Sequence, residues 1–296
     1  NVYSSLNKAI GNEAWHQQYI NDYMSGNDIM EKAVEAAEAT GDTVRIEYVR
    51  SLKGQLDMLF VQSGLAKCDM LVKIYGKDLE ANKENIAFLQ AMLDMFRNAD
   101  CEKDPLYFKA SKYLFAIKPT AASALGLAKE AMSANKNAEA TEFLNKAISL
   151  TSDKNIKASC YYTLAVMSMN ARQYSQSRAY CQKAMAENPS MGSPLILIAK
   201  MYAATASSIF PGDALKQRCV FYLVLDKLER ARSIDSRVAG EASSLIAQYR
   251  RHLPSSSDIF MHPELDKGKS FYVGGWIGES TTIRSGEKMS ALQSRP

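Results

Sequence analysis

Two stretches of this chain can be laid one on the other. The first, AASALGLAKEAMSANKNAEATEFLNKAISLTS, is residues 121–152; the second, ASCYYTLAVMSMNARQYSQSRAYCQKAMAENPS, is residues 158–190. Leu127-Ala128 falls on Leu164-Ala165, Ala140 on Ser177, Leu144 on Cys181 and Ala147 on Ala184. Small residues recur where two helices would cross closely, and large ones where they would interlock. Self-similarity of this kind constrains a fold more than any composition does. A helix hairpin of this length cannot bury its apolar face alone, so successive copies must stack and share a core.

The pattern extends beyond these copies. A third unit, residues 193–236, opens with PLILIAKMYAA, in which Leu195, Ile198, Ala199 and Tyr202 keep the spacing. Its second helix, FYLVLDKLERARSID, places Ala231 at the small packing position. The recurring alanine moves from Ala147 to Ala184 to Ala231, intervals longer than the ~34 residues of the plain repeat. Upstream, MEKAVEAAEATGD, CDMLVKIYGKDLE and YFKASKYLFAIKP read as second helices of degenerate units. Ile86, Leu89, Leu93 and Phe96 line one face of another helix. Stops fall at Gly26, Gly41, Gly64, Gly76, Pro119, Pro189 and Pro211. The reading is all-α: about thirteen helices of about 10–20 residues, forming an array over residues 1–252. A tail of extended or β character, residues 253–296, follows and is expected to end in disorder.

The repeats resemble the tetratricopeptide repeat (TPR). Tyr161, Leu164, Ala165, Tyr174, Ser177, Cys181, Ala184 and Pro189 occupy the signature places, while Ser168 and Cys181 stand where that family has aromatics. The resemblance implies a right-handed superhelix of antiparallel helix pairs, with the first helix of each pair lining a concave groove. Carried over by position, the groove candidates are Leu125, Lys129 and Met132; then Tyr162, Val166, Met169 and Asn170; then Ile196 and Lys200. Mixed apolar and polar residues suit an extended peptide or a helix of a protein partner. The family's carboxylate clamp is not expected, because its Lys and Asn places hold Leu125, Tyr162, Lys129 and Val166.

Other classes fare poorly. A net charge of +4 over 296 residues, with only short basic runs such as Tyr249-Arg250-Arg251-His252, does not mark a nucleic-acid binder. No apolar run is long enough to cross a membrane. The three histidines form no catalytic or metal motif, and His262 with Glu264 supplies two ligands where zinc needs at least three. No enzyme activity, cofactor or metal is expected. The five cysteines include no CxxC pair, leave at least one unpaired, and read as small buried hydrophobes.

The tail SFYVGGWIGESTTIRSG, residues 270–286, lacks the Lys and following helix of a phosphate loop. It reads as two short β segments around glycines, leaning on the last helical layer through Tyr272 and Trp276 as a cap. It resembles the Gly-Gly-Trp-Ile-Gly-Glu tail of exported TPR proteins of Bacteroidetes-type bacteria, which implies a periplasmic or cell-envelope location. Beginning at Asn1 fits a removed export signal. Together these features predict a non-catalytic scaffold that binds protein or peptide. The alternative is an assembly component whose tail docks on a partner or a neighbouring subunit.

Overall fold

The computed structural model describes residues 13–284. The expected start of the array, the expected disordered end and the side chain of His16 lie outside the described residues. The chain divides into two compact units, one running to Leu150 and the other beginning at Thr151. The described residues are all-α, with antiparallel helix hairpins and a two-stranded antiparallel sheet after the last helix.

The first unit contains α1 (Glu13–Thr40), α2 (Thr43–Gln62), α3 (Cys68–Gly76), α4 (Ile86–Asn98), α5 (Pro105–Ile117), α6 (Ala121–Ser133) and α7 (Asn137–Ser149). Short side chains start several of these helices by satisfying orphan amides. Asp42 accepts from the Arg45 amide, Asn85 from the Phe88 amide, and Thr120 with Ser123 forms a reciprocal capping box. Pro105 opens α5 at a position where a missing amide costs nothing. Inside, Tyr23 stacks on Phe60 at 4.1 Å between centroids, and Leu71, Leu89, Met92, Phe96, Tyr107 and Leu114 complete the core. The helices α5 and α6 approach closely at Gly126, where an added Cβ would lie 1.9 Å from Ser111 Oγ. Residues Ala128, Ala131, Ala140, Leu144 and Ala147 then seal α6 against α7.

One expectation fails here. Cys68 and Cys101 are not two buried apolar residues but a disulfide, joining the first residue of α3 to the turn after α4. Cys68 is exposed and Cys101 is buried. Helical periodicity could not reveal this, because the α3–α4 turn brings together residues with no periodic relation. The other three cysteines, Cys160, Cys181 and Cys219, are free and buried, as the sequence suggests.

The second unit contains α8 (Lys154–Asn170), α9 (Tyr174–Glu187), α10 (Ser193–Ile209), α11 (Ala214–Ile234), α12 (Ala239–Arg250) and the short α13 (Ser256–Phe260), then β1 (Ser270–Val273) and β2 (Glu279–Thr282). The α8–α9 turn places Arg172 at φ 59°, and the α6–α7 turn places Asn135 at φ 57°, so both clear repeats bend through the same left-handed residue. Ser177, at the close crossing of α9 on α8, donates to the Ala165 carbonyl at 2.7 Å. In the sheet Phe271 pairs with Thr281 and Val273 with Glu279. Burial alternates along β1: Phe271 and Val273 point inward, Ser270 and Tyr272 outward.

Candidate binding surfaces

The tail is a strap, and its seat is built from α9, α10 and α11. Gly275 takes φ 61°, a turn only glycine makes without strain, and a Cβ added there would lie 3.5 Å from Ile209 Cδ1. That turn delivers Trp276 into an aromatic notch. Its ring stacks on Tyr174 at 5.5 Å, meets Tyr202 edge-on at 5.3 Å, and lies under the Arg178 guanidinium at 5.6 Å. The indole N–H donates to Thr205 Oγ1 at 3.2 Å. A half-buried indole of this kind gains from a polar partner as well as apolar walls, and it has both.

The rest of the strap is held by charge. Glu279 accepts from the Tyr202 hydroxyl at 2.5 Å and from Lys227 Nζ at 2.6 Å, with Arg178 at 3.7 Å. Burial would raise its pKa, but the bonds from Lys227 and Tyr202 outweigh that and hold the carboxyl below its ordinary value. Arg178 also donates to the Ile277 carbonyl. Farther on, Thr281 donates to Asp226 at 3.1 Å, Arg284 pairs with the same carboxylate at 2.7 Å, and the Tyr222 hydroxyl donates to the Arg284 carbonyl. Beneath these contacts Phe271, Val273, Ile277 and Ile283 are buried in the unit's core. Of the two tail residues singled out in the sequence, Trp276 sits in this seat, while Tyr272 is 63% exposed on the outer face. The inward residues Phe271 and Val273 do the covering.

The groove candidates fall into three situations. On α8, Tyr162, Val166 and Met169 form a half-buried row at helical spacing, ending in exposed Asn170. Burial raises the Tyr162 hydroxyl pKa, with Cys181 and Glu241 adding to the effect. On α10, Lys200 pairs with Glu241 of α12 at 2.7 Å, which brings Tyr162, Lys200 and Glu241 into one neighbourhood. Ile196 is different: at 3% exposure it is a core residue and presents no surface. In the first unit, Leu125 and Met132 are half-buried, and Lys129 is paired with Glu102 of the α4–α5 turn.

Sequence reasoning missed the strap's partners. Tyr174 and Tyr202 read as repeat signature and core, and Arg178, Asp226 and Lys227 were given no role. A usable signal existed in the tail itself, where Trp276, Glu279 and Arg284 offer an aromatic, an anion and a cation that each need a complement.

Among the described residues, no group of three or more His, Cys, Asp or Glu side chains is placed to hold a metal ion. His262 Nδ1 lies 3.2 Å from Glu264 and goes no further. No described helix is long and apolar enough to cross a membrane.

No family model matches this chain, and no curated protein matches it. Among solved structures, the crystal structure of MamA superposes with a TM-score of 0.42 at 17% sequence identity, covering 55% of this chain and 90% of that one. A likeness that loose carries no argument about function.

Proposed function

We propose that this chain is a non-catalytic protein-binding scaffold, and that the α8/α10 face of its second unit takes an extended peptide or a helix from another protein. The observation that carries this is the row Tyr162, Val166 and Met169. It stays half-exposed on a hairpin whose core is already complete. The strap engages α10 through Tyr202 and Thr205 and does not use Lys200. An apolar row beside a paired lysine and an exposed amide has the makeup of an interface centre with a polar rim.

The test is a crosslinking pull-down from extracts of the native source. The wild-type chain is compared with a Tyr162→Ala, Met169→Ala, Lys200→Glu variant whose helicity has been checked. A partner captured by the wild type and lost by the folded variant supports the reading; equal capture by both moves the site off this face.

The Cys68–Cys101 bond favours work in an oxidising compartment, in keeping with the envelope location that the tail resemblance implies. The seating of the strap on helices of its own chain favours closure in cis over docking on a neighbour.

A further inference from the structure

The strap seat has a counterpart in the first unit. Lys129 on α6 and Lys200 on α10 hold the same repeat position, so Ala131 corresponds to Tyr202 and Ala134 to Thr205. Ala147 on α7 corresponds to Ala231 on α11, so Phe143 corresponds to Lys227. Tyr202, Thr205 and Lys227 are three of the strap's principal contacts. Their counterparts Ala131, Ala134 and Phe143 line an open cleft of about 330 Å³, whose other walls include Phe115 and Leu127.

The substitutions change what such a seat can hold. Two alanines in place of Tyr202 and Thr205 remove bulk and both hydroxyls. Phe143 in place of Lys227 removes the cation that grips Glu279 and adds a ring, which meets Phe115 edge-on at 5.7 Å. The charges at the rim cancel: Lys112 pairs with Glu130 at 2.6 Å and Lys136 with Glu139 at 3.3 Å. The cleft therefore offers apolar and aromatic walls with neither an unpaired cation for a carboxylate nor an unpaired anion for a base. Its size lies at the small end of ligand sites, enough for one large side chain and not for a cofactor.

We propose that this cleft is a second docking point, for an uncharged aromatic side chain carried on an extended segment of a protein partner. The strap illustrates the mode: Trp276 enters between two helix pairs with its backbone lying across them. In the cleft the anchor is held by Phe115, Phe143 and Leu127, and no acid need follow it. This inference stands apart from the α8/α10 face and survives if that face proves idle.

The test uses the full chain labelled with ¹³C at alanine and leucine methyls, titrated with N-acetyl-L-tryptophanamide, an uncharged indole probe. Saturable shifts are expected at Ala131, Ala134 and Leu127. The exposed Ala116→Trp, which fills the cleft from α5, and Phe143→Ala, which removes a wall, should each weaken binding about 10-fold or more. Tyr162→Ala should leave it unchanged. Absence of saturation at these methyls up to solubility would overturn the proposal, as would equal affinity in the folded Ala116→Trp variant. Shifts confined to the methyls of Ala203, Ala204 and Ala206, beside Thr205, would also overturn it, by showing that the probe enters the strap seat instead.

Discussion

Removing the Cys68–Cys101 bridge should cost the first unit more than any other single change at its surface. The cross-linked residues are 33 positions apart. Closing a loop of that size in the unfolded chain removes conformational freedom worth about 4 kcal/mol at 25 °C. For a unit of this length each kcal/mol moves the melting temperature by about 2–4 °C, so a fall of about 8–15 °C follows. Alanine is the better replacement, because it adds no polar group at the buried Cys101. Scanning calorimetry on the oxidised chain, the chain with reductant, and the Cys68→Ala, Cys101→Ala double variant provides the measurement. Reductant alone isolates the cross-link, since both sulfurs stay in place. Replacing Trp15 by Phe leaves Trp276 as the lone tryptophan, so its fluorescence follows the second unit separately. A melting shift under about 2 °C would refute the loop-entropy argument. An equal fall in the Trp276 transition would refute confinement of the effect to the first unit.

Thiol counting gives a sharper number. Burial pushes the Cys160 thiol up to about 11 and Cys181 and Cys219 up to about 12, so almost no reactive thiolate exists at neutral pH. Maleimide should label none of the five cysteines in the folded oxidised chain, three after denaturation without reductant, and five after reduction, read by intact mass. Gly126→Ala should destabilise the first unit by about 2 kcal/mol or more, because the new methyl overlaps Ser111; Ser111→Gly in the same chain should recover part of the loss in a denaturant titration. Asp235 is held near a pKa of about 2 by the Arg237 guanidinium and then by the Gly192 amide. Its unfolded value is about 3.9, so the stabilisation is full above that pH and is lost as pH falls toward 2. Melting curves of Asp235→Asn and wild type should therefore converge between about pH 4 and pH 2; a constant gap across that window would refute the assignment.

How far the sequence could be read depended on what kind of order each feature obeyed. The hairpins of α6 to α9 were legible because helical contacts are local and repeat: Ala140, Ser177 and Ala184 are small for a reason visible within one unit. The left-handed turns at Asn135 and Arg172 share a register for the same reason. Ile196 was misread as groove because position within a repeat was given more weight than its neighbours. It belongs to the run Pro194 to Ala199, buried on every side, and an all-round apolar run marks a helix covered all round. Tyr272 was chosen for its aromatic ring, whereas period-two alternation puts it on the face opposite Phe271 and Val273. The disulfide and the strap seat obey no local period. Both depend on where the chain returns in space, which only the assembled fold decides.

The strap also sets a timetable. Arg178 waits for the carbonyl of a residue 99 positions later, and Tyr202 for a carboxylate 77 positions later. Contacts this distant in sequence form late, after the helices that present them. As the chain emerges from synthesis, Tyr174, Tyr202 and Phe210 stand open until Phe271 and Trp276 arrive. A chain that stops short of Ser270 could still make every helix, yet it would display the apolar seat that proteases and chaperones recognise in unfinished proteins. The strap thus closes the second unit's apolar seat only after the helices that form it have been made.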